Sequence, residues 1–214
     1  MKEITIALAK GRLAEQTVEL LEQCGICCDE VRNPERKLVL EDRENKVRFI
    51  LVKPGDVPIY VERGAADIGV AGKDTLMEQN GNLYEMLDLG FGRCRMCVAG
   101  FPDFTRDRSV NLRVATKYPN IARKYYGAKG ETIDVIELHG SVELGPIIGL
   151  TDVIVDIVES GGTLRANGLM VLEEICSVSA RLIVNHVSLK TRGERIRPLI
   201  EKMHSLLLAG GEGQ

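Results

Sequence analysis

Val153-Ile-Val-Asp-Ile-Val-Glu-Ser-Gly-Gly-Thr-Leu164 passes from an apolar, β-branched run through acidic residues into a Ser-Gly-Gly-Thr turn and the opening of a helix. Valine and isoleucine are stiff at χ1 and fit a pleated strand, whereas adjacent glycines punctuate it. A strand that runs straight into a helix is half of a βα unit, and the chain repeats the pattern. Ile4 to Leu8, Val47 to Val52, Ile68 to Ala71, Arg113 to Thr116 and Thr132 to Leu138 are further short apolar runs separated by helical patterns. Leu13, Thr17, Leu20 and Leu21 recur at helical spacing, with Gly25 where a left-handed C-terminal cap belongs. Asp56 is placed to cap a helix whose first turn tolerates Pro58, and Gly64 closes it. Tyr118-Pro119 opens another helix through Tyr125. Ile196, Leu199, Ile200, Met203 and Leu207 mark an amphipathic helix, beyond which Ala209 to Gln214 reads as a frayed, Gly-rich tail. The alternation predicts an α/β fold.

A chain of 214 residues accommodates one large domain or two smaller ones. The stretch Gly90 to Asp107, with its glycines, Phe-Pro and charges, reads as a crossover between two lobes, and a second crossover is expected near Ser179. The predicted division is residues 1–89 with 180–214 as one lobe and 90–179 as the other.

Hydrophobic residues make up 44% and charged residues 28%, a packed globular composition. A net charge of −3 gives no reason to expect nucleic acid or an anionic membrane as partner, so any phosphate site must be local. No run is long enough to span a bilayer and the opening residues lack a cleavage-type sequence, which points to a cytoplasmic protein. The six cysteines then read as reduced thiols. Zinc is the alternative, because Cys24 and Cys27, and Cys94 and Cys97, each form a C-x-x-C. The pairs are too far apart for a zinc ribbon, and on a strand over Arg93 to Ala99 the second pair would face opposite sides. No metal ligands are assigned.

In the opening stretch, glycines let backbone N–H groups converge on an anion. The hydroxyls of Ser160 and Thr163 add donors, and the following helix start favours negative charge. Asp156 and Glu159 beside such a cradle suit neutral ribose hydroxyls or a Mg²⁺ ion. The bland alternative is a strand, a capped helix and two solvated acids.

Asp156-Ile-Val-Glu-Ser-Gly-Gly-Thr-Leu164 resembles the loop that binds phosphoribosyl pyrophosphate (PRPP) in phosphoribosyltransferases. Ile6-Ala-Leu-Ala-Lys-Gly-Arg-Leu13, Gly64-Ala-Ala-Asp-Ile-Gly-Val-Ala-Gly-Lys-Asp74, Arg113-Val-Ala-Thr-Lys-Tyr118 and Glu137-Leu-His-Gly-Ser-Val-Glu-Leu144 narrow the resemblance to ATP phosphoribosyltransferases of the short form, over nearly the whole chain. That resemblance implies two lobes similar to periplasmic binding proteins, with the active site in the interlobe cleft. It also implies attack of adenine N1 of ATP on C1 of PRPP, giving N1-(5-phosphoribosyl)-ATP and pyrophosphate with substrate-bound Mg²⁺, the first step of histidine biosynthesis. Adenine N1 already carries a lone pair, which agrees with the lack of a nucleophile triad among only three histidines. His139 sits in a turn where a structural hydrogen bond is its commoner use, and His186 and His204 receive no role.

The resemblance assigns Asp156, Glu159, Ser160, Gly161, Gly162, Thr163 and Leu164 to PRPP. Arg12 and Arg36 become the catalytic cations that meet the developing pyrophosphate charge. Lys10, Gly11 and Lys53 go to ATP or pyrophosphate phosphates, with Asp67, Gly69 and Gly72 lining the adenine side, although these two glycines would equally serve tight strand-to-helix packing. Each basic residue, taken alone, reads as a solvated surface charge. A histidyl-tRNA-synthetase-like regulatory subunit is the implied partner, in a hetero-octamer of four chains of each kind, with a homodimer when this chain is alone. A ligand-binding module without chemistry and a nucleobase phosphoribosyltransferase are the competing readings.

Overall fold

The computed structural model describes residues 2–211. In chain order the first unit is built from β1 (Ile4–Ala9), α1 (Arg12–Gln23), α2 (Asp29–Arg32), β2 (Val39–Asp42), β3 (Val47–Val52), α3 (Val57–Glu62), β4 (Ile68–Gly72), α4 (Lys73–Gln79) and β5 (Tyr84–Asp88). The second unit follows with β6 (Cys94–Gly100), β7 (Leu112–Thr116), α5 (Pro119–Ala128), β8 (Ile133–Glu137), α6 (Leu144–Ile147), β9 (Val153–Val158), α7 (Gly162–Ala166) and β10 (Met170–Val178). The chain then returns to the first unit as β11 (Ala180–Val184), α8 (His186–Thr191) and α9 (Gly193–Gly211). By compactness the first unit takes in the chain up to Leu76, Asn80–Gly92 and everything from Ser179, and the second takes Met77–Gln79 and Arg93–Val178.

The first sheet has the order β2-β3-β1-β4-β11-β5. β1 lies parallel to β3 and β4, while β2 and β11 run antiparallel to their neighbours. Its two faces differ in side-chain size for a reason visible in β1. Ile4, Ile6 and Leu8 point into a cluster with Val18 and Leu21 of α1 and Ile196 and Met203 of α9. Ala7 and Ala9 face Val57 and Val61 of α3. Small residues on that side let α3 approach closely, and Gly69 takes the trend to its limit. A Cβ there would stand 2.8 Å from Val57 Cγ1 and 2.8 Å from Val61 Cγ2, so glycine is required by packing rather than by its backbone angle.

The second sheet has the order β10-β6-β9-β7-β8, with β7, β8 and β9 parallel and β6 and β10 antiparallel. Val114, Val153 and Val155 pack on Ile121 and Tyr126 of α5 on one face, and Ile154 and Val158 pack on Leu164 and Leu169 on the other. This is a second α/β layer arrangement with its own core.

Two local expectations are corrected. Asp56 stands at the head of α3 but makes no side-chain capping bond, the chain entering through a 3-10 turn over Pro54–Asp56 instead. Within Gly90 to Asp107, the strand read over Arg93 to Ala99 is present as β6, Cys94–Gly100. α9 continues through Ala209 and Gly210 to Gly211, so the tail reading fails for those positions, and residues 212–214 lie outside the described ones.

All six cysteines are free, and burial pushes the Cys28 thiol up to about 12. Cys94 and Cys97 both lie on β6, where only Cys97 is buried. Among the described residues no group of three or more His, Cys, Asp or Glu is gathered around a point that could hold a metal ion. No helix among them is long and apolar enough to cross a membrane.

Candidate active site

In the first unit the strand register places the basic residues of the sequence reading together. Ala9 of β1 pairs with Val52 of β3, so Lys10 and Lys53 leave adjacent strands at the same level. Leu51 N–H donates to the Leu38 carbonyl at 2.9 Å, which carries the approach to β2, with Arg36 and Lys37, to that same end. β4 runs parallel on the other side of β1 and ends at Gly72, followed by Lys73. Four neighbouring strand ends therefore each carry a cation along a row of roughly 14 Å, three interstrand spacings. This is the carboxyl end of the parallel strands, where open α/β sheets bind ligands. Lys10, Arg12, Arg36 and Lys53 are all exposed. Among the described residues no carboxylate pairs with Lys10, Arg36 or Lys53.

Gly11 joins β1 to α1 at φ 109°, a backbone region that side chains resist, and so turns the chain sharply between Lys10 and Arg12. A concavity of about 400 Å³ opens beside this turn, lined by Lys10, Gly11, Glu15, Arg32 and Pro34 over apolar Val18 and Val31. Arg32 is held there by Glu22, with Nε to Oε1 at 2.9 Å and a second bond at 2.6 Å. The hydrogen bond to Arg32 draws the Glu22 carboxyl below its usual range. Lys73 carried no role in the sequence reading, and the signal that would have found it is the one shared by Lys10 and Lys53, a lysine directly after a parallel strand. Its ammonium bonds Glu85 at 2.5 Å.

Two positions expected near adenine do not belong to this end. Asp67 precedes β4 and is fully buried at the opposite, amino end of the strands. Its carboxylate accepts from Thr5 N–H at 2.8 Å and Ser188 Oγ at 2.5 Å and pairs with Arg192, which ties β1, β4 and α8 together. Sequence spacing shows that an acid flanks a strand but not which end of the sheet it serves. Gly69 lies mid-strand beneath α3, in the packing role described above. Gly72 alone of the three stands at the carboxyl end of the parallel strands, where it ends β4 and caps α4.

The second unit presents its own row of parallel strand ends. β9 extends beyond its last pairing with β7 at Val155 as far as Val158, and the glycine turn follows directly. Gly161 adopts φ 71° and leads into α7, while Gly162 N–H donates to Ser160 Oγ at 3.3 Å. Arg165 Nη1 donates to the Ser160 carbonyl at 2.9 Å and fixes the turn from outside. Glu159, Ser160, Gly162 and Thr163 are exposed, and Asp156 is half-buried with its carboxylate accepting from Ile157 N–H at 2.8 Å. Leu164 is a correction. Its side chain is buried with Val158 and Leu169, so it anchors the loop to the core and offers no side-chain contact to a ligand. Beside this turn, buried Thr116 Oγ1 donates to the Val155 carbonyl at 2.6 Å and accepts from Tyr118 N–H at 2.8 Å, which locks the end of β7 to β9. Exposed His139 stands just past β8 at the same end.

The arrangement gathers lysine and arginine side chains at one set of strand ends and sets a glycine turn with hydroxyls at the other. Comparison with known proteins gives these features a family. The sequence model described as HisG, ATP phosphoribosyltransferase, matches residues 53–205. An ATP phosphoribosyltransferase of Lachnoclostridium phytofermentans is 56% identical over 212 residues, covering 97% of this chain and 98% of the relative. One of Caldanaerobacter subterraneus subsp. tengcongensis is 54% identical over 210 residues, covering 98% and 100%. Among solved structures, a chain of the ATP phosphoribosyl transferase (HisG:HisZ) complex from Thermotoga maritima superposes with a TM-score of 0.85 at 35% identity, covering 96% of this chain and 99% of that one. The periplasmic aliphatic sulphonate binding protein SsuA from Escherichia coli, at 13% identity and a TM-score of 0.56 over 99% of this chain and 71% of its own, shares the fold alone. With the family model matching most of its length and relatives more than half identical from end to end, this chain belongs to the ATP phosphoribosyltransferase family.

Proposed function

We propose that this transferase, which joins ATP to PRPP in the first step of histidine biosynthesis, does so with the cations of Lys10, Arg12, Arg36 and Lys53 and the turn Glu159 to Thr163. The observation that carries the assignment is Gly161 in a left-handed backbone directly beyond β9 at the carboxyl end of parallel strands, between the exposed Ser160 and Thr163. The two proposed lobes, 1–89 with 180–214 and 90–179, divide the work. The second holds the 5′-phosphate of PRPP, and the first meets the polyphosphates.

In the reaction adenine N1 forms a bond to C1 of the ribose as the bond from C1 to pyrophosphate breaks. N1 donates its own lone pair, so this chain's residues have no proton to remove from the nucleophile. They orient the substrates and stabilise charge that grows on the leaving oxygen. Arg12 and Arg36 present planar donors suited to pyrophosphate, and Lys10, Gly11 and Lys53 meet neighbouring phosphates, with Gly72 at the edge. Asp156 and Glu159 are placed for ribose hydroxyls or for Mg²⁺ carried by the pyrophosphate, a cation that commonly takes one or two carboxylates beside substrate phosphates. That ion would neutralise phosphate charge. The reading includes a cytoplasmic location, in keeping with six free thiols.

Purified protein given PRPP, Mg²⁺ and either ATP or free nucleobases tests the reading. Pyrophosphate and a ribosylated nucleotide are expected with ATP only, and turnover of a free base would overturn it. Within the loop, Gly161→Ala and Thr163→Ala are expected to raise the KM for PRPP more than that for ATP. Loss of one charge-assisted bond costs about 1.5–3 kcal/mol, roughly 10- to 100-fold. An alanine at Gly161 must also hold φ 71° with its Cβ 3.2 Å from Arg165 Nη1. Folded variants with unaltered PRPP kinetics would remove the loop from the site.

The Thermotoga maritima relative is a HisG:HisZ complex. We propose that this chain likewise works with a separate histidyl-tRNA-synthetase-like subunit, in a hetero-octamer of four of each, and that alone it is a homodimer of low activity that ignores histidine. Turnover and histidine titration with and without the added subunit check this. Full activity with histidine inhibition in the single chain would show the partner to be unnecessary.

A further inference from the structure

We propose that Gly92 and Leu13 form a matched pair that positions the Lys10–Arg12 turn. Arg12 lies between two constraints. On one side is Gly11, whose φ of 109° is a region side chains resist, and on the other is Leu13, whose side chain packs against the core of the first unit and whose carbonyl accepts from Thr17 Oγ1 at 2.6 Å. Gly92, the last residue before the chain leaves that unit, provides the room Leu13 occupies. A Cβ at position 92 would stand 2.5 Å from Leu13 Cδ2, with Leu13 Cγ at 3.8 Å and Ala180 Cβ at 4.0 Å.

The crossover segment is the stiffer member of the pair. Ala180 N–H donates to the Phe91 carbonyl at 2.9 Å, Leu89 N–H to the Ala180 carbonyl at 2.9 Å, and Gly90 N–H to Asp88 Oδ1 at 2.9 Å. Asp88 also accepts from Ser179 Oγ at 2.8 Å and pairs with Arg181 at 3.0 Å. A methyl group added at Gly92 therefore displaces the tip of the Leu13 side chain, and because that side chain packs against the core of the first unit, its freedom to turn away is restricted and the first turn of α1, which carries Arg12, takes up part of the shift. Gly92 also has φ 61°, so an alanine there is strained irrespective of contacts. Strain alone would lower stability and leave turnover untouched. The two explanations separate because only the steric one depends on the side chain at position 13.

The proposal rests on the assignment of Arg12 above. The test is steady-state kinetics and denaturant unfolding of the full chain, assayed under conditions where the wild type turns over. The variants are Gly92→Ala, Leu13→Val, which deletes the δ-carbons, and the two combined. Gly25→Ala, strained at φ 84° with Lys202 Nζ at 3.9 Å as its nearest contact, serves as the backbone control. Gly92→Ala is expected to lower kcat about tenfold, as misplacement of a catalytic group by a fraction of an ångström does, while KM changes less than about twofold. Adding Leu13→Val should return kcat to that of Leu13→Val alone, and Gly25→Ala should lose stability only. Wild-type kcat in Gly92→Ala, or a loss that Leu13→Val fails to reverse, overturns the pair. Should Gly92→Ala not fold, Leu13→Ala opens the contact from the other side. It is expected to lower kcat, and unchanged turnover in it overturns the proposal equally. Arg12→Ala run in parallel distinguishes the two failures. Wild-type turnover in Arg12→Ala removes the site assignment, whereas an inactive Arg12→Ala beside a normal Gly92→Ala removes only the positioning role.

Discussion

Arg12→Ala and Arg36→Ala should each lower kcat by about 10²–10³, the range seen when one preorganised donor to a developing anion is removed. Both positions lie at the row of strand ends that also carries Lys10, Lys53 and Lys73, and no carboxylate among the described residues offsets Arg36. The charge on the pyrophosphate oxygen is greatest in the transition state, so KM for PRPP should rise much less than kcat falls. Lysine at either position should restore only part of the loss, because it keeps the charge and forfeits the planar two-pronged geometry. Steady-state rates for the alanine and lysine variants, with circular dichroism to confirm folding, decide the matter. Wild-type turnover in both alanine variants would return these arginines to ordinary surface charge.

Asp67→Ala is expected to cost stability rather than catalysis. Removing one partner from a buried ion pair typically costs 3–5 kcal/mol, and here the partial exposure of Arg192 argues for the lower end, about 3 kcal/mol. The change also strands Thr5 N–H and the Ser188 hydroxyl, which both donate to Asp67. Asp67→Asn keeps an acceptor and should lose less. Since Asp67 lies at the amino end of β4, whatever folded protein remains should retain its KM for ATP and PRPP. Urea unfolding and kinetics of both variants test this. A stability loss below about 1 kcal/mol, or a selective rise in the KM for ATP, would return Asp67 to the substrate side.

The strands legible in the sequence are those buried on both faces, where β-branched residues run uninterrupted. β1, β4 and β9 come nearest to this kind, while β3, β7 and β8 are legible from short apolar runs interrupted by one charged residue or ended by another. β10 escaped because Met170–Val178 is largely exposed at a sheet edge and its pairing with β6 shifts register twice, which breaks the alternation a period-two reading needs. β2 is a short edge strand that ends on two adjacent acids, Glu41 and Asp42. In the site, the turn after β9 was legible from its own residues, because strand, glycines and hydroxyls are contiguous. The basic row was not, since Lys10, Arg36 and Lys53 meet only through strand register, and the family resemblance had to select them. Asp67 and Leu164 show the complementary limit. Both sit inside motifs that the family resemblance assigns to ligands, yet their own side chains are buried in protein, and proximity in sequence does not reveal that.

The strand order of the first sheet bears on how the protein is made. Among the described residues β5 pairs only with β11, which lies between β4 and β5 in the sheet, yet the second unit separates β11 from both of them in the chain. As the ribosome extends the polypeptide, the amino-terminal segment must wait with an unpaired sheet edge until Val184 has emerged. The second unit, continuous from Arg93 to Val178 apart from a short piece of α4, has all its strands available by then. Nascent chains stalled so that residues up to Val178 are outside the tunnel should thus show a protease-resistant second unit and a cleavable Tyr84–Asp88, with protection of the latter appearing only once β11 is exposed. Early protection of Tyr84–Asp88 in the shorter chains would mean that the edge is covered in some other way during synthesis.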